Sequence, residues 1–376
     1  MKKLFLRIGI LLVIVYAVCQ IAISSMPFSW GNTRLNTKFQ SYKENHEQYN
    51  TLLIGASTTY RHINSTTFDS IVNAQYPELQ IKSYNFGIPA NRTPQSLQML
   101  DALLDYDMSN IKHVVIDMSE LTKMGADNLH KKEMLYWYNW GNIGDVMKAS
   151  YESEKGVNKF GVPMLHAFSF GEKSLLFGNG PSVIMQHAGL NIEPLSVGPD
   201  NNGFYSLDQE MHDDPEGDLA IRYNELRTPD TIAYRTKRCQ ELVDHYKTAT
   251  KNPNKTIEDN LKDVIEYCEK NSISVTIMLS QRLGERYEYL IPLYNQLPEK
   301  NRIGFQDPSA YPALNDRDNL FDLAHLNANG SKVFTQIFAG EWLQRLEMQN
   351  IIQPKPTPVV EQDTLNLNTT ADGSGI

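Results

Sequence analysis

Short apolar runs alternating with longer segments of helical period constrain this chain more than any other feature. Thr51-Leu52-Leu53-Ile54-Gly55 is too short for a buried helix and stops at a glycine, so it reads as a buried strand. A helical segment through Phe68, Ile71 and Val72 follows, then a second strand over Gln80 to Phe86 that stops at Gly87. Thr93-Pro94 opens the next helix with an N-cap residue and a proline at the first helical position, and its apolar face runs Leu97, Leu100, Leu103, Leu104. His113 to Met118 is a third strand. After a long interruption come helices near Ala233 to Thr248 and Ile257 to Lys270, and a strand at Ile273 to Leu279. A helix through Tyr287 to Leu297 then leads to a short strand at Ile303 to Phe305. The last helix begins near Asn327 or Asn329 and carries Val333, Phe334, Ile337, Phe338, Trp342 and Leu346 on its core face. Strands alternating with helices predict an α/β fold with a parallel sheet and helices on both faces. In such sheets ligands bind outside the carboxyl ends of the strands, near the point where the strand order reverses.

The interruption, from Glu120 to about Thr231, lacks periodicity and reads as a long insertion rather than a second domain. Residues 27–350 then form one domain, and the Pro-, Thr-, Asn- and Asp-rich tail over 351–376 reads as disordered. The N-terminus is different in kind. Lys2, Lys3 and Arg7 flank an apolar run from Ile8 to about Ile23 in which Gln20 is the one strongly polar residue. From Leu4 to Met26 there is enough chain to cross a bilayer, about 20 residues being needed. Ala22, Ser24 and Ser25 also offer a cleavage site, so residues 1–26 read as a membrane anchor or a signal peptide, the anchor being favoured. Basic residues before the run and none just after it direct the rest of the chain outside the cytoplasm.

A formal net charge of −9, with Lys and Arg scattered rather than striped, leaves no footprint for nucleic acid. Three cysteines make no disulfide framework: Cys19 lies in the apolar run, and Cys239 and Cys268 lie in helical segments as two ordinary thiols or at most one bridge.

Three strand or loop ends carry residues suited to chemistry. Ser57 stands directly after the first strand at the start of a helix, where its hydroxyl projects at the sheet edge beside free backbone N–H groups; an N-cap serine is the plainer account of it alone. Gly87 ends the second strand, where a missing side chain lets a ligand approach the backbone. Asp322 precedes His325 by three residues on a loop entering the last helix, a spacing that lets the carboxylate orient one imidazole nitrogen and leaves the other to take a serine proton.

Taken together these segments resemble the SGNH (GDSL-like) hydrolase superfamily over Thr51 to about Leu346, the insertion excepted. The resemblance implies a flavodoxin-like sheet, Ser57 as nucleophile, His325 as base, Asp322 as its orienting acid, and Gly87 in the oxyanion hole beside the Ser57 backbone. Two departures stand out. The family's Gly-Asp-Ser is Gly55-Ala56-Ser57 here, and the oxyanion-hole asparagine after the third strand is missing from Asp117-Met118-Ser119-Glu120. Ser119 or Asn91 is left as the replacement donor. The anchor, the altered oxyanion segment and the insertion look like the branch containing alginate O-acetylation proteins and D-alanyl transfer proteins. That implies an extracytoplasmic O-acyltransferase or esterase acting on acyl esters of a cell-envelope or exported glycan. The alternative is a non-catalytic glycan-binding or scaffold protein of an export complex. Neither reading calls for a cofactor or a metal.

Lesser candidates remain. Arg92, near Gly87, is a candidate substrate contact. Arg61 and His62 lie a turn beyond Ser57; Arg61 is a contact for an anionic or sugar substrate or, as the plainer account, both are exposed-face residues. Tyr136-Trp137-Tyr138-Asn139-Trp140 is either a stacking platform for sugar rings or packing for the insertion. Glu210 to Asp214 has metal-capable side chains without ligand spacing and reads as a solvated acidic loop.

Overall fold

In a computed structural model of the protein, the described residues are 1–26, 32–119, 135–181, 195–215, 217–226, 229–249, 251–252, 254–282 and 287–354. The apolar runs become β1 (Thr51–Gly55), β2 (Ser83–Gly87), β3 (His113–Asp117), β4 (Ser274–Leu279) and β5 (Arg302–Gly304). They join in one parallel sheet in the order β2-β1-β3-β4-β5, and every residue of β1 to β4 is buried. This is the flavodoxin-like order. Parallel neighbours need crossover connections, so helices must cover both faces and the strands carry apolar residues on each side. The chain steps from β1 outward to β2 and then back across β1 to β3. The order therefore reverses at the carboxyl ends of β1 and β3, which is where a ligand crevice opens.

One face is covered by α4 (Ser65–Gln75) and the final helix α13 (Ala328–Met348). Phe68 stacks on Phe338 with centroids 5.1 Å apart and meets the edge of Trp342 at the same distance. The start of α13 is set by Asn327, whose side chain accepts the Gly330 N–H at 2.8 Å, an N-cap bond that satisfies one orphan donor. The other face carries α5 (Thr93–Tyr106) and α11 (Lys255–Lys270). The latter buries Ile257, Leu261, Ile265 and Cys268 at helical spacing and is capped by Asn254, which accepts the Ile257 N–H at 3.1 Å.

Several expectations change. The second strand starts at Ser83 rather than Gln80, because Pro77–Leu79 forms a 3₁₀ turn and Gln80 is left-handed at φ 48°. A helix not expected from the sequence, α2 (Thr33–Asn45), folds under β2 and buries Leu35, Lys38, Phe39 and Tyr42. The described part of the insertion is mostly helical rather than irregular. It contains α6 (Ile143–Ser153) and α7 (Asn158–Ser174), packed side by side, then α8 (Leu207–Asp213) and α9 (Leu219–Glu225), with α10 (Pro229–Tyr246) closing it. Gly161, Pro163 and Gly171 interrupt the pattern of α7, and its most apolar stripe faces away from the core while Leu165 and Phe170 pack half-buried against it, so its period was hidden. Between these helices the insertion runs along the sheet edge, where the Asn85 N–H donates to the Asn202 carbonyl at 2.8 Å and so occupies one of the free groups of the edge strand β2. Helix α12 (Tyr287–Gln296) precedes β5. Cys19, Cys239 and Cys268 are all buried free thiols, so no bridge forms. The tail from residue 355 lies outside the described residues.

The N-terminal run is one helix, α1 (Lys2–Ser24), long and apolar enough to cross a membrane, as an anchor or signal sequence is.

Candidate active site

Ser57 is the first residue of α3 (Ser57–His62), placed there by the extended Ala56 that follows β1. The first N–H groups of a helix have no acceptor within it, so the backbone at Ser57 is free to receive an anion. The corner is tight. A Cβ at Gly55 would lie 2.1 Å from Thr59 Oγ1 and 2.8 Å from the Asp117 Cβ. Asp117, the last residue of β3, accepts the Thr58 hydroxyl at 2.5 Å, the Thr59 hydroxyl at 3.1 Å and the Ser280 N–H at 3.3 Å. Burial raises the Asp117 carboxyl from its ordinary range, against the pull of these bonds and of Arg282. The carboxyl group ties the ends of three segments together under Ser57.

His325 completes the contact across the crevice. Its Nε2 lies 2.8 Å from Ser57 Oγ, and its Nδ1 lies 2.9 Å from Asp322 Oδ1. These partners assign the proton to Nδ1 and leave Nε2 as an acceptor for the serine hydroxyl. Asp322 is held by its own loop, where Oδ1 accepts the N–H groups of Ala324 at 2.7 Å and His325 at 2.8 Å. Arg222, from α9 in the insertion, forms an ion pair with Asp322 Oδ2. Burial alone would raise the Asp322 carboxyl, but the His325 hydrogen bond and charge, the Ala324 N–H and Arg222 hold it well below the usual carboxylate range. Burial lowers the His325 pKa, reinforced by Arg282 and Arg222 and opposed by Asp322, so the ring is neutral at pH 7.

The loop bearing His325 is fastened to α3 through His62. This ring is buried, and its Nε2 accepts the Leu326 N–H at 3.0 Å. The His62 carbonyl accepts Ser331 Oγ at 3.0 Å and Thr335 Oγ1 at 3.1 Å, both from α13. Arg61 is also buried; it donates to the Tyr205 carbonyl at 2.9 Å and pairs with Glu210. Neither residue is on an exposed face, as the sequence suggested. α3 is enclosed by the returning insertion on one side and α13 on the other, and a six-residue helix shows too little period to reveal that.

Gly87 backs the same helix, but its N–H donates to Asn85 Oδ1 at 2.9 Å and is not free for an oxyanion. The expected role gives way to a steric one: a Cβ there would lie 2.2 Å from the Tyr60 N and 2.8 Å from the Ala56 carbonyl oxygen. Asn85 also donates to the Thr59 and Ile63 carbonyls at 2.6 and 2.9 Å, clamping α3 to β2. Ser119 and Asn91 form a separate buried knot. The Ser119 hydroxyl donates to the Asn91 carbonyl at 3.0 Å, and the Asn91 amide donates to Ser96 Oγ at 3.0 Å while accepting the Tyr136 hydroxyl. The Ser119 donor is thus spent, and the Asn91 side chain is bonded through both its nitrogen and its oxygen. Arg92 is half-buried at the start of α5, where its N–H donates to Gln95 Oε1 at 2.8 Å. Tyr136, Trp137 and Tyr138 are buried and pack the insertion, leaving Trp140 exposed. The acidic stretch is the short helix α8 rather than a loop. Among the described residues no group of three or more His, Cys, Asp or Glu is placed to hold a metal.

Two site residues escaped the sequence reading altogether. Arg222 sits in an insertion with no visible period. Arg282, just past β4, donates from Nη2 to Thr58 Oγ1 at 3.3 Å, one residue from Ser57. Asp117 did carry a signal, a carboxylate closing an otherwise apolar buried strand. A cavity of about 510 Å³ between α5, α6 and α11, lined by Asp101, Asp145 and Asp263, shares no residue with this site. No family model matches the chain, and no curated protein matches it either.

Proposed function

We propose that this chain is an SGNH-type serine acyl-ester enzyme, an O-acyltransferase or esterase, anchored by α1 with its domain on the extracytoplasmic side and acting on a cell-envelope or exported glycan. The observation that carries the reading is the contact of His325 Nε2 with Ser57 Oγ at 2.8 Å while Nδ1 is held by Asp322 at 2.9 Å. In the proposed reaction Ser57 Oγ attacks the ester carbonyl and its proton passes to His325 Nε2. The imidazolium so formed is stabilised by Asp322. The tetrahedral intermediate then expels the alcohol, which takes the proton from His325, and an acyl-serine remains. Water or a glycan hydroxyl, deprotonated by the same nitrogen, releases the acyl group. With Gly87 and Ser119 engaged elsewhere, charge on the oxyanion falls to the Ser57 backbone N–H and the Arg282 guanidinium.

Two results test these roles. Because His325 must be neutral and burial lowers its pKa, kcat/KM is expected to rise with pH through a midpoint below the ordinary 6.5 and to stay flat from pH 7 to 8. A midpoint above 7 counts against a neutral resting base. Arg282→Ala is expected to reduce kcat by about 10²-fold, the usual effect of losing one oxyanion donor. It should also move the acidic limb upward, since this guanidinium disfavours protonated His325. An unchanged kcat removes Arg282 from the mechanism.

The engaged donors at Gly87 and Ser119 favour a second reading, a glycan-binding protein with an idle serine. Incubation of the full chain with an acetyl ester, with and without an oligosaccharide, separates the possibilities. Product that needs the acceptor identifies a transferase, acetate without acceptor an esterase, and neither the binding protein.

A further inference from the structure

Helix α7 is built inside out. Its residues Val157, Phe160, Met164, Phe168 and Leu175, counting the residues flanking each end, follow one another at helical spacing and are 88, 66, 64, 53 and 45% exposed among the described residues. Its inward side carries the buried polar residues His166, Ser169, Glu172 and Lys173 beside Pro163 and the half-buried Leu165 and Phe170. Lys173 and His166 are bonded from within the insertion. The Lys173 ammonium donates to the Tyr136 and Tyr138 carbonyls at 2.6 and 2.5 Å, and His166 Nδ1 lies 2.8 Å from the Tyr138 hydroxyl. A helix surrounded by water shows the reverse pattern, and an apolar stripe turned outward marks a surface meant for lipid or protein.

The neighbour of this stripe says which. Helix α1 runs against the end of α7: the Gln20 amide donates to the Ser174 carbonyl at 2.8 Å and the Cys19 thiol meets the Leu175 carbonyl at 3.5 Å. Trp140, itself exposed, donates its indole N–H to the Tyr16 hydroxyl at 2.9 Å. Gln20, the one strongly polar residue of the apolar run, thus has a partner in the insertion. Tyr16 to Gln20 precede the end of α1 at Ser24 by four to eight residues. At 1.5 Å per residue that places the contacts about 6–12 Å below the end of the helix. An interfacial helix buries its apolar face about 5–10 Å into the headgroup boundary, the level at which tryptophan also gathers.

We propose that α7 lies in the outer membrane–water boundary beside α1, its stripe from Val157 to Leu175 in contact with lipid acyl chains. The inference rests on the reading of α1 as a retained anchor. It gives the insertion a purpose, to fix the height and tilt of the crevice over the membrane by a second attachment.

Depth measurement on the full chain reconstituted alone in phosphatidylglycerol/phosphatidylethanolamine vesicles tests this. Phe160→Cys, Met164→Cys and Phe168→Cys are each labelled with a small fluorophore, with Leu11→Cys as the span reference and Glu266→Cys as the aqueous one. The native thiols are buried and stay in place, the unsubstituted chain supplying the background, and circular dichroism confirms folding of each variant. Expected is quenching by acyl-chain nitroxide lipids at least twofold stronger at the three α7 sites than at position 266, with weaker quenching by aqueous iodide. If Leu11 is lipid-quenched while the α7 sites behave like position 266, the anchor stands and this proposal falls. A position 11 site as open to iodide as position 266, or a mature chain beginning after residue 26, overturns the anchor reading and the placement beside it. Sites shielded from both quenchers, with self-quenching that grows with protein density, make the stripe a contact between copies and also overturn it.

Discussion

Ser57→Ala is expected to abolish covalent capture of the full chain by a fluorophosphonate, and His325→Ala to slow capture by on the order of 10⁴-fold or more. The reason is in the geometry of one proton. Serine is a weak nucleophile at neutral pH, and it gains reactivity only while a base within hydrogen-bond reach can accept its proton. His325 Nε2 is 2.8 Å away, and burial with two nearby guanidinium groups keeps it unprotonated. Asp322→Ala is expected to fall in the same direction, by roughly 10⁴-fold, because the ring would lose both the tautomer and the charge that stabilises the imidazolium. Arg222 cannot take over that role, since a cation beside Nδ1 works against protonation. Measuring labelling rates by gel fluorescence, with thermal unfolding as a check on each variant, settles the outcome. A folded native chain that resists the probe, or a Ser57→Ala variant that labels as before, ends the case for a serine enzyme.

Gly87→Ala should cost both stability and reactivity. The added methyl meets the Tyr60 N and Cα at 2.2 and 2.7 Å, and these are backbone atoms that no rotamer change can move away. α3 has to shift as a body, yet it is held by Asn85 on one side and by Asp117 on the other. Overpacking of this kind costs about 1–3 kcal/mol. A displacement of Ser57 by about 1 Å is enough to lose about 10²-fold in rate. The expected result is a lower midpoint in urea together with a labelling rate down by about two orders of magnitude in the protein that remains folded. A variant with native stability and native labelling would show that the corner yields, and that the glycine is there for some other reason.

The legible part of the site was the part carried by local sequence. Ser57, Asp322 and His325 could be named because each sits beside a strand end or helix start that the local pattern marks, and Asp322 and His325 lie within one loop. The residues that were missed act through distant contacts. His62 looked exposed because a short helix has no readable face, and only the folded chain brings Leu326 onto its Nε2. Arg222 lies 100 residues before the carboxylate it meets. Gly87 was placed correctly at the strand end but given a donor role that the Asn85 side chain, two residues away, already occupies. Ser119 and Asn91 were close enough in sequence to suggest replacement donors, and their bonds to each other and to Ser96 could not be seen from spacing.

By itself the sequence determined the alternation of buried strands and helices, and with it the parallel sheet, because a period of burial is a local property of the chain. It likewise determined the apolar N-terminal helix, which depends on length and composition alone. Tertiary structure decided the strand order and the switch point, the partners of every buried polar group at the crevice, and the outward turn of the α7 stripe toward α1. These depend on which segments meet across long loops, and a hydrogen bond or an exposed face belongs to the pair of surfaces that meet, not to either stretch of sequence.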